Sequence, residues 1–316
     1  DAGTMQIGDM MAFLQYATEI LMSFMIIAMI FIMIPRSSVS AKRIFEVLET
    51  EPTIHDPVEP KHLPKENTPI TFDHVSFKYA NAEENVLEDI HFTANPEETV
   101  AFIGSTGSGK TTLVNLLPRF FDVTEGSIRF GDIDIRDVSQ KELRDRIGYV
   151  PQKGILFRGT IASNLRYADE NLSEEKMEEA LSISQAKEFV ERMPNGVDEP
   201  IAQGGTNVSG GQKQRLSIAR ALAKDAQVYI FDDTFSALDY ATDAKLRTAL
   251  AGLIAKKHAT VFIVAQRISS IMHADKIIVL DQGRMAGIGT HEALLKNCEV
   301  YQEIAHSQLS REELGE

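Results

Sequence analysis

The sequence contains little cysteine, no excess of basic residues and no initiator methionine. Cys298 is the single cysteine among 316 residues, which excludes an internal disulfide bond and is compatible with a reducing cytoplasm. Lysine and arginine total 32 against 46 aspartate and glutamate residues, a formal net charge of −14, so a nucleic-acid-binding surface is disfavoured. Because the chain begins at Asp1, we expect it to be part of a longer protein.

Charge is also scarce between Ala12 and Ile34, where the only charged side chain is Glu19. About 20 apolar residues in a helix span the ~30 Å hydrocarbon core of a bilayer. A buried core helix would seldom be apolar on all its faces over this length. A signal peptide would place basic residues before the run and a cleavage site after it. Here the basic residues come after the run, at Arg36, Lys42 and Arg43. We therefore predict a membrane-spanning helix with its C-terminal side in the cytoplasm.

A proline-rich stretch separates this helix from the rest of the chain. Five of the 11 prolines lie within it, at Pro52, Pro57, Pro60, Pro64 and Pro69. Proline removes a backbone donor and prevents helix continuation, so the stretch is predicted to be an extended linker. The predicted organisation is a helix with its cytoplasmic extension over residues 1–49, a linker over 50–69 and a cytoplasmic domain over 70–316.

Residues 104–111 fit the phosphate-binding pattern G-x-x-x-x-G-K-[ST], with an apolar strand before them and a helix start after them. The glycines let backbone N–H groups close round phosphate oxygens. Lys110 is predicted to reach the β- and γ-phosphates, and Thr111 to ligate Mg²⁺. A ligand-free glycine-rich turn is the alternative, but the strand-loop-helix context favours nucleotide binding. The candidate nucleotide contacts of this loop are Gly104, Ser105, Thr106, Gly107, Ser108, Gly109, Lys110, Thr111 and Thr112.

Strand and helix patterns alternate through the rest of the domain, which indicates the α/β class. The predicted strands lie at 70–77, 86–92, 127–130, 148–150, 228–233 and 259–264, with a closing hairpin at 276–281 and 284–288. The predicted helices lie at 139–147, 173–189 and 241–256, and a further long helix follows the loop at 208–212 and runs through Ala223. Parallel sheets place ligands at the C-terminal ends of their strands. Asp232 and Asp233 end one such strand, and Asp232 is a predicted Mg²⁺ ligand.

Tyr79, after the strand at 70–77, is either an adenine-stacking ring or a core residue, and the sequence pattern alone leaves both open. A small-residue loop at 208–212 opens a long helix and is predicted to be a second helix N-terminus that faces phosphate.

The order of these motifs resembles the nucleotide-binding domain of ATP-binding-cassette (ABC) transporters. The motifs are the phosphate loop, Gln152, Ser209-Gly210-Gly211-Gln212 and Asp232-Asp233, and the resemblance covers Ile70 to about Ser307. A membrane helix joined directly to the ATPase resembles the exporter subclass, in which the last transmembrane helix runs into the cassette. The resemblance implies a P-loop NTPase cassette with a helical subdomain, and ATP and Mg²⁺ as cofactors. It also implies a cell-membrane protein, multi-pass at full length, with its nucleotide-binding domain in the cytoplasm.

Residue roles follow from the resemblance by position. Tyr79 corresponds to the adenine-stacking aromatic. Gln152 corresponds to the glutamine that senses Mg²⁺ and the attacking water while touching the membrane domain. In family members two cassettes clamp two ATP molecules head to tail, so Ser209, Gly210, Gly211 and Gln212 would contact ATP held by a second half-transporter. Membrane lipid and a transported substrate are the other implied partners, and the sequence does not identify the substrate.

Two departures from the family pattern bear on catalysis. Asp233 stands where the family carries its catalytic glutamate, and Gln266 where it carries a switch histidine. A shorter carboxylate misplaces the attacking water, and a neutral amide cannot reproduce the charge of a histidine. The pair resembles the degenerate site of one subunit of a heterodimeric bacterial multidrug-type exporter.

Three alternatives remain. Asp233 is a working base in a homodimeric exporter, or the chain is a soluble cassette ATPase like the DNA-repair relatives, or it is a regulatory module without turnover.

Overall fold

The computed structural model describes residues 6–80 and 82–309, and the chain divides after His55 into two compact units. The described residues of the first unit form one helix, α1 (Ile7–Leu48), of 42 residues, none of them buried. By length and composition α1 is long and apolar enough to cross a membrane. It continues through Pro35. The hydroxyls of Thr18 and Ser23 donate to carbonyls four residues earlier, at 2.9 and 2.8 Å, so these polar groups are satisfied within the helix.

The second unit is a mixed α/β domain. Its strands are β1 (Ile70–Phe77), β2 (Leu87–Ala94), β3 (Thr99–Gly104), β4 (Glu125–Phe130), β5 (Ile133–Asp134), β6 (Ile147–Val150), β7 (Gly159–Thr160), β8 (Pro200–Ile201), β9 (Val228–Asp232), β10 (Thr260–Val264), β11 (Lys276–Asp281) and β12 (Arg284–Gly289). Its helices are α2 (Lys110–Leu116), α3 (Gln140–Asp145), α4 (Ile161–Arg166), α5 (Glu174–Ile183), α6 (Lys187–Glu191), α7 (Gly210–Ala223), α8 (Tyr240–Lys257), α9 (His291–Asn297) and α10 (Glu299–Gln308).

Two main sheets organise the described part of the domain, and β7 and β8 pair in a third sheet of two strands. The larger has the strand order β12-β11-β3-β10-β9-β6, and its neighbours are parallel except for β12, which forms an antiparallel hairpin with β11. The smaller is antiparallel, in the order β2-β1-β4-β5. Parallel central strands are buried on both faces, which is why β3, β9 and β10 read as continuous apolar runs.

The central strands divide their side chains between two hydrophobic cores. Along β3, Ala101 and Ile103 enter one core, and Val100 and Phe102 enter the other. The second core lies between the two sheets, where Phe102 packs on Phe92 of β2 with ring centroids 5.8 Å apart. The first core includes buried residues of α4, α5 and α7. The period-2 alternation of strand side chains produces this division.

A helical subdomain, α4 to α6, lies between β6 and the start of α7 in the chain, so the predicted α/β class with a helical subdomain is confirmed. The helix predicted over 173–189 is two helices, α5 and α6, because the chain turns at Gln185, which has a φ of 58°. The carbonyl of Gln185 accepts a hydrogen bond of 2.9 Å from Arg215 of α7. A left-handed residue after a helix ends it, and here a distant arginine binds that turn.

Part of the proline-rich stretch packs on the second unit. Asp56 accepts hydrogen bonds from the backbone and side-chain nitrogens of Gln140, at 2.8 and 3.1 Å. Leu63 is buried, and its backbone N–H donates to Glu142 at 2.9 Å. Residues from Asp56 onward therefore belong to the compact α/β unit.

Candidate functional site

Three adjacent parallel strands end at one edge of the larger sheet. Gly104 ends β3, Asp232 ends β9, and Gln266 follows β10 by two residues. Because parallel strands bring their carboxyl ends to the same edge, residues separated by more than 100 positions in sequence meet there. The phosphate loop spans the gap between β3 and α2.

The first glycine of the loop is required by close backbone contact. Gly104 has a φ of 154°, and a β-carbon there would lie 2.0 Å from the carbonyl oxygen of Leu280. Any other residue would displace β11, so glycine at this position fixes how the loop leaves the sheet.

Lys110 lies over the loop that precedes it. Its Nζ donates to the carbonyls of Gly104 and Ser105, each at 2.7 Å, and reaches the Ser108 hydroxyl at 3.3 Å. Burial lowers the pKa of Lys110, and the nearby carboxylates of Asp233 and Asp232 oppose that shift. A cation held at the loop is suited to bind phosphate oxygens.

Thr111 and Asp232 form a pair of oxygen ligands beside the lysine. The Thr111 hydroxyl donates to Oδ1 of Asp232 at 2.9 Å. Burial raises the pKa of Asp232, and the neighbouring charge of Asp233 adds to the shift. Two adjacent carboxylates in a buried place favour a cation, and hydroxyl and carboxylate oxygens are ligands that Mg²⁺ prefers. The residues present therefore fit a magnesium ion.

Sequence reasoning missed the support behind Asp232. The hydroxyl of Tyr149 donates to Asn115 at 2.8 Å and lies 3.5 Å from Oδ2 of Asp232. Burial raises the pKa of Tyr149, so its hydroxyl stays protonated and remains a donor. The only sequence signal was a tyrosine beside the glycine of an apolar strand, which does not indicate what the hydroxyl contacts.

Asp233 lies between two glutamines. Its Oδ2 accepts a hydrogen bond from Nε2 of Gln152 at 3.1 Å and one from Nε2 of Gln266 at 2.6 Å. Asp233 has a φ of 46°, a left-handed conformation after the end of β9. The three predicted catalytic residues thus contact one another through a single carboxylate oxygen.

One cleft of about 220 Å³ brings nine of the predicted site residues together, and Asp232, Gly104, Ser105 and Ser108 are not among the residues that line it. The predicted site residues on its walls are Thr106, Gly107, Gly109, Lys110, Thr111, Thr112, Gln152, Asp233 and Gln266. The cleft joins phosphate-binding backbone, a buried cation, hard oxygen ligands and a carboxylate, which together suit a magnesium-bound triphosphate.

Tyr79 is tied to the same region. Its hydroxyl lies 3.1 Å from the Thr112 hydroxyl, and its ring packs edge-on against Phe77 and Phe121 at centroid distances of 4.8 and 5.2 Å. The residue remains 37% exposed, so it combines core contacts with an accessible ring beside the start of α2.

Ser209 to Gln212 are not among the residues that line the cleft. They form the start of α7, where the Ser209 hydroxyl accepts from the backbone N–H of Gln212 at 3.3 Å. The Gln212 side chain accepts from the backbone N–H of Ser209 at 2.9 Å. This reciprocal capping fixes the first turn of α7. Ser209 and Gly210 are exposed.

A family model described as "ABC transporter" matches residues 87–236. Among curated proteins, the chain is similar to an uncharacterised ABC transporter ATP-binding protein of Mycobacterium tuberculosis, with 45% identity over 98% of this chain and 53% of the relative. A similar protein of Bacillus subtilis is 39% identical over 98% of the chain and 53% of its own length. The ATP-dependent lipid A-core flippase of Desulfotalea psychrophila is 41% identical over 81% of the chain and 44% of its length.

Among solved structures, a bacterial Atm1-family ABC exporter with ATP bound matches with a TM-score of 0.83 and 31% identity. That match covers 98% of this chain and 54% of the exporter chain. The chain therefore spans about half the length of the relatives that it matches. The fold is that of an ABC cassette, with a helix at the N-terminus.

Proposed function

The chain carries an ATPase domain of the ABC transporter family, and on that premise we propose that it is the ATP-binding half of a membrane exporter. In this proposal, ATP binding and hydrolysis by the cassette drive a substrate across the cell membrane. The relatives named as a flippase and an exporter support this direction of transport. Helix α1 supports attachment to the membrane, with the cassette on the cytoplasmic side.

The chain's own residues suffice to hold Mg²⁺-ATP. Lys110 and the loop backbone would bind the β- and γ-phosphates, and Thr111 and Asp232 would hold Mg²⁺, which supplies neutralising charge. Tyr79 would stack on adenine. Gln152 would touch both the metal region and the carboxylate of Asp233.

The same site is poorly equipped for hydrolysis. The observation that supports this inference is that Asp233 is hydrogen-bonded to two glutamine side chains. A general base must present a carboxylate oxygen to the attacking water. Here Oδ2 of Asp233 binds two glutamine amides, and one of these, Gln266, stands where a histidine could carry charge. We infer a degenerate site that binds ATP and turns it over slowly.

A slow site has a use in an asymmetric dimer. Ser209 caps the start of α7, Ser209 and Gly210 are exposed and Gly211 is half-buried, so this turn is available to a second cassette. In a heterodimer they would complete the partner's competent ATP site, and most hydrolysis would take place there. A homodimer with Asp233 as a working base is the competing assembly.

Three substitutions distinguish the assemblies when each is purified with the partner half-transporter. Gly211→Asp should reduce steady-state ATPase most, by about two orders of magnitude or more, because a carboxylate faces a triphosphate in a site of low dielectric constant. Ser209→Ala should cost about tenfold, as one hydrogen bond to a charged group is lost. Asp233→Asn should change the rate least, since little flux passes the degenerate site.

Gly211→Asn is the matched control, because it adds the same volume without charge. A β-carbon at Gly211 would have the carbonyl oxygen of Ala237 as its nearest neighbour, at 3.8 Å, so a β-carbon at this position makes no close contact within the chain. If Asp233→Asn is as damaging as Gly211→Asp, this chain's own site carries the flux and the proposal of a degenerate site is wrong.

A further inference from the structure

Two histidines and an aspartate meet on the exposed face of the smaller sheet, outside the nucleotide cleft. His74 belongs to β1, and Asp89 and His91 to β2. One ligand atom from each lies within 4.8 Å of the others. Nδ1 of His74 lies 2.5 Å from Oδ1 of Asp89, and the two imidazole rings stack with centroids 5.2 Å apart. Within residues 6–80 and 82–309 this is the one group of three or more such side chains with that spacing.

The backbone is bent where these residues lie. The pairing of β1 with β2 shifts register on both sides of Val75. His74 and Asp89 have φ values of 50° and 52°, left-handed for residues that are not glycine. Bulges of this kind re-aim side chains on a sheet surface, and such strained residues concentrate at ligand sites.

The third strand is shaped to accept the bend. Gly126 of β4 has a φ of 78°, and a β-carbon there would lie 2.2 Å from the carbonyl oxygen of His74. The pairing of β1 with β4 also shifts register between Asp73 and Ser76. The conformation that points His74 toward Asp89 is therefore built into three strands.

The imidazole of His91 is oriented by its own strand. Its Nδ1 lies 3.3 Å from the carbonyl oxygen of Asp89. A carbonyl only accepts, so Nδ1 carries the proton in this contact and Nε2 keeps its lone pair. Metal-bound histidines commonly show this arrangement, with one ring nitrogen donating to a carbonyl and the other on the metal.

The local charge is compatible with a cation. Asp89 supplies a carboxylate, and the two imidazoles bind metal in their neutral forms. Arg284, whose charge acts on Asp89, is itself bound by two hydrogen bonds to Glu88, at 3.1 and 2.6 Å. The His74 and Asp89 side chains are 68% and 64% exposed, so they can rotate to close a coordination sphere.

We propose that His74, Asp89 and His91 form a Zn²⁺ site that joins β1 to β2. Imidazole and carboxylate are zinc ligands, with bonds of about 2.0–2.2 Å, and three protein ligands leave one tetrahedral position for water. The ion joins the bulged pair of strands, so the free energy of unfolding of the cassette rises with the logarithm of the ion concentration divided by its Kd.

The test uses the full chain, purified in detergent without a histidine tag and freed of nucleotide and metal. Zn²⁺ is titrated against a competing indicator, and thermal unfolding is followed with and without Zn²⁺. The variants are His91→Gln and Asp89→Asn. The control is His258→Asn. The backbone of His258 is also in the left-handed conformation, with a φ of 52°, but its side chain pairs with a single carboxylate, that of Glu97.

Wild type and the control should bind one Zn²⁺ with equal affinity and unfold at a higher temperature when it is present. Each site variant loses a direct ligand, so its Zn²⁺ affinity should fall by at least the roughly 10- to 100-fold that loss of an outer-shell partner typically causes. Zn²⁺ should no longer raise the unfolding temperature of these variants. His74 and Asp89 have a left-handed backbone conformation and His91 does not. His91→Gln therefore tests the site even if Asp89→Asn misfolds. Equal Zn²⁺ affinity in wild type and His91→Gln would refute the site.

Discussion

Oδ2 of Asp233 accepts a hydrogen bond from each of two glutamine amides, Gln152 and Gln266. Oδ2 is thus the carboxylate oxygen that contacts both Gln152 and Gln266, the two residues that would organise the attacking water. A carboxylate one methylene longer would extend about 1.5 Å further from the backbone and would no longer meet both amides in the same place. Replacing only one member of the trio therefore leaves the other two arranged for Asp233.

Restoring the family residues should work only in combination. Asp233→Glu supplies a longer base and Gln266→His a chargeable switch, and residues that act as a unit are not additive. Each single change should raise single-turnover ATP hydrolysis by about tenfold or less, and the double change by about 100-fold or more. Rapid-quench measurement with saturating enzyme provides the rates. Full recovery by Asp233→Glu alone would show that Gln266 is neutral.

The residues of the site that the sequence could predict are those that lie in local motifs. The phosphate loop and Asp232 follow from local patterns, because strand, turn and helix signals are contiguous there. The contact of Tyr149 with Asn115 and Asp232 could not be predicted, because it depends on β6 pairing with β9 across 83 positions of sequence.

At the scale of elements, helix α10 binds the segment that carries Gln266. The side chain of Gln308, at the end of α10, donates to the carbonyl of Gln266 at 2.8 Å and accepts from the backbone N–H of Ile268 at 2.9 Å. One side chain thus holds the backbone on both sides of Arg267. The position of Gln266 beside Asp233 depends on this helix.

Gln308→Ala should therefore slow hydrolysis when the site is otherwise competent. In the chain that carries Asp233→Glu and Gln266→His, loss of two hydrogen bonds should lower single-turnover hydrolysis by about tenfold. ATP affinity should change little, because Lys110 and the loop are untouched.

Gln302→Ala controls for helix stability, since Gln302 lies on the same helix and donates to Leu295 at 2.7 Å, away from the cleft. If both alanine variants lower the rate equally, α10 has a structural role alone.

Elements with strong local signals were predicted well, and long-range contacts explain the exceptions. The strand predicted at 70–77 is β1, and the helix predicted to run through Ala223 is α7. The division of the helix predicted over 173–189 has no glycine or proline signal. It arises because Arg215 binds the carbonyl of Gln185, and a single sequence does not show that pairing.

At the scale of the whole molecule, the position where the α/β unit begins has a measurable consequence. A domain that begins at Asp56 keeps Leu63 in the core and its backbone bond to Glu142, whereas one that begins at Glu66 loses both. The longer domain should be more stable by about 2 kcal/mol or more, the value of burying one leucine. Urea unfolding of the two domains measures the difference.

The longer domain carrying Leu63→Ala should reproduce most of the destabilisation caused by the truncation, because the buried leucine side chain contributes more than the single backbone hydrogen bond. Equal unfolding midpoints for the two domains would mean that the segment from Asp56 to Lys65 contributes nothing to the fold.

Alternate side chains of β3, β9 and β10 lie in the two hydrophobic cores, so each position along these strands is assigned to one core. Adding or removing one residue would exchange every side chain between the cores and would shift the strand end that carries Gly104, Asp232 or Gln266. Exchange of one apolar residue for another of similar volume leaves each side chain in its own core. Insertion or deletion of one residue in any of these strands is therefore expected to displace the phosphate site, whereas exchange of their buried apolar side chains is not. Gly104 and Asp232 are the exceptions, because the site requires their identity.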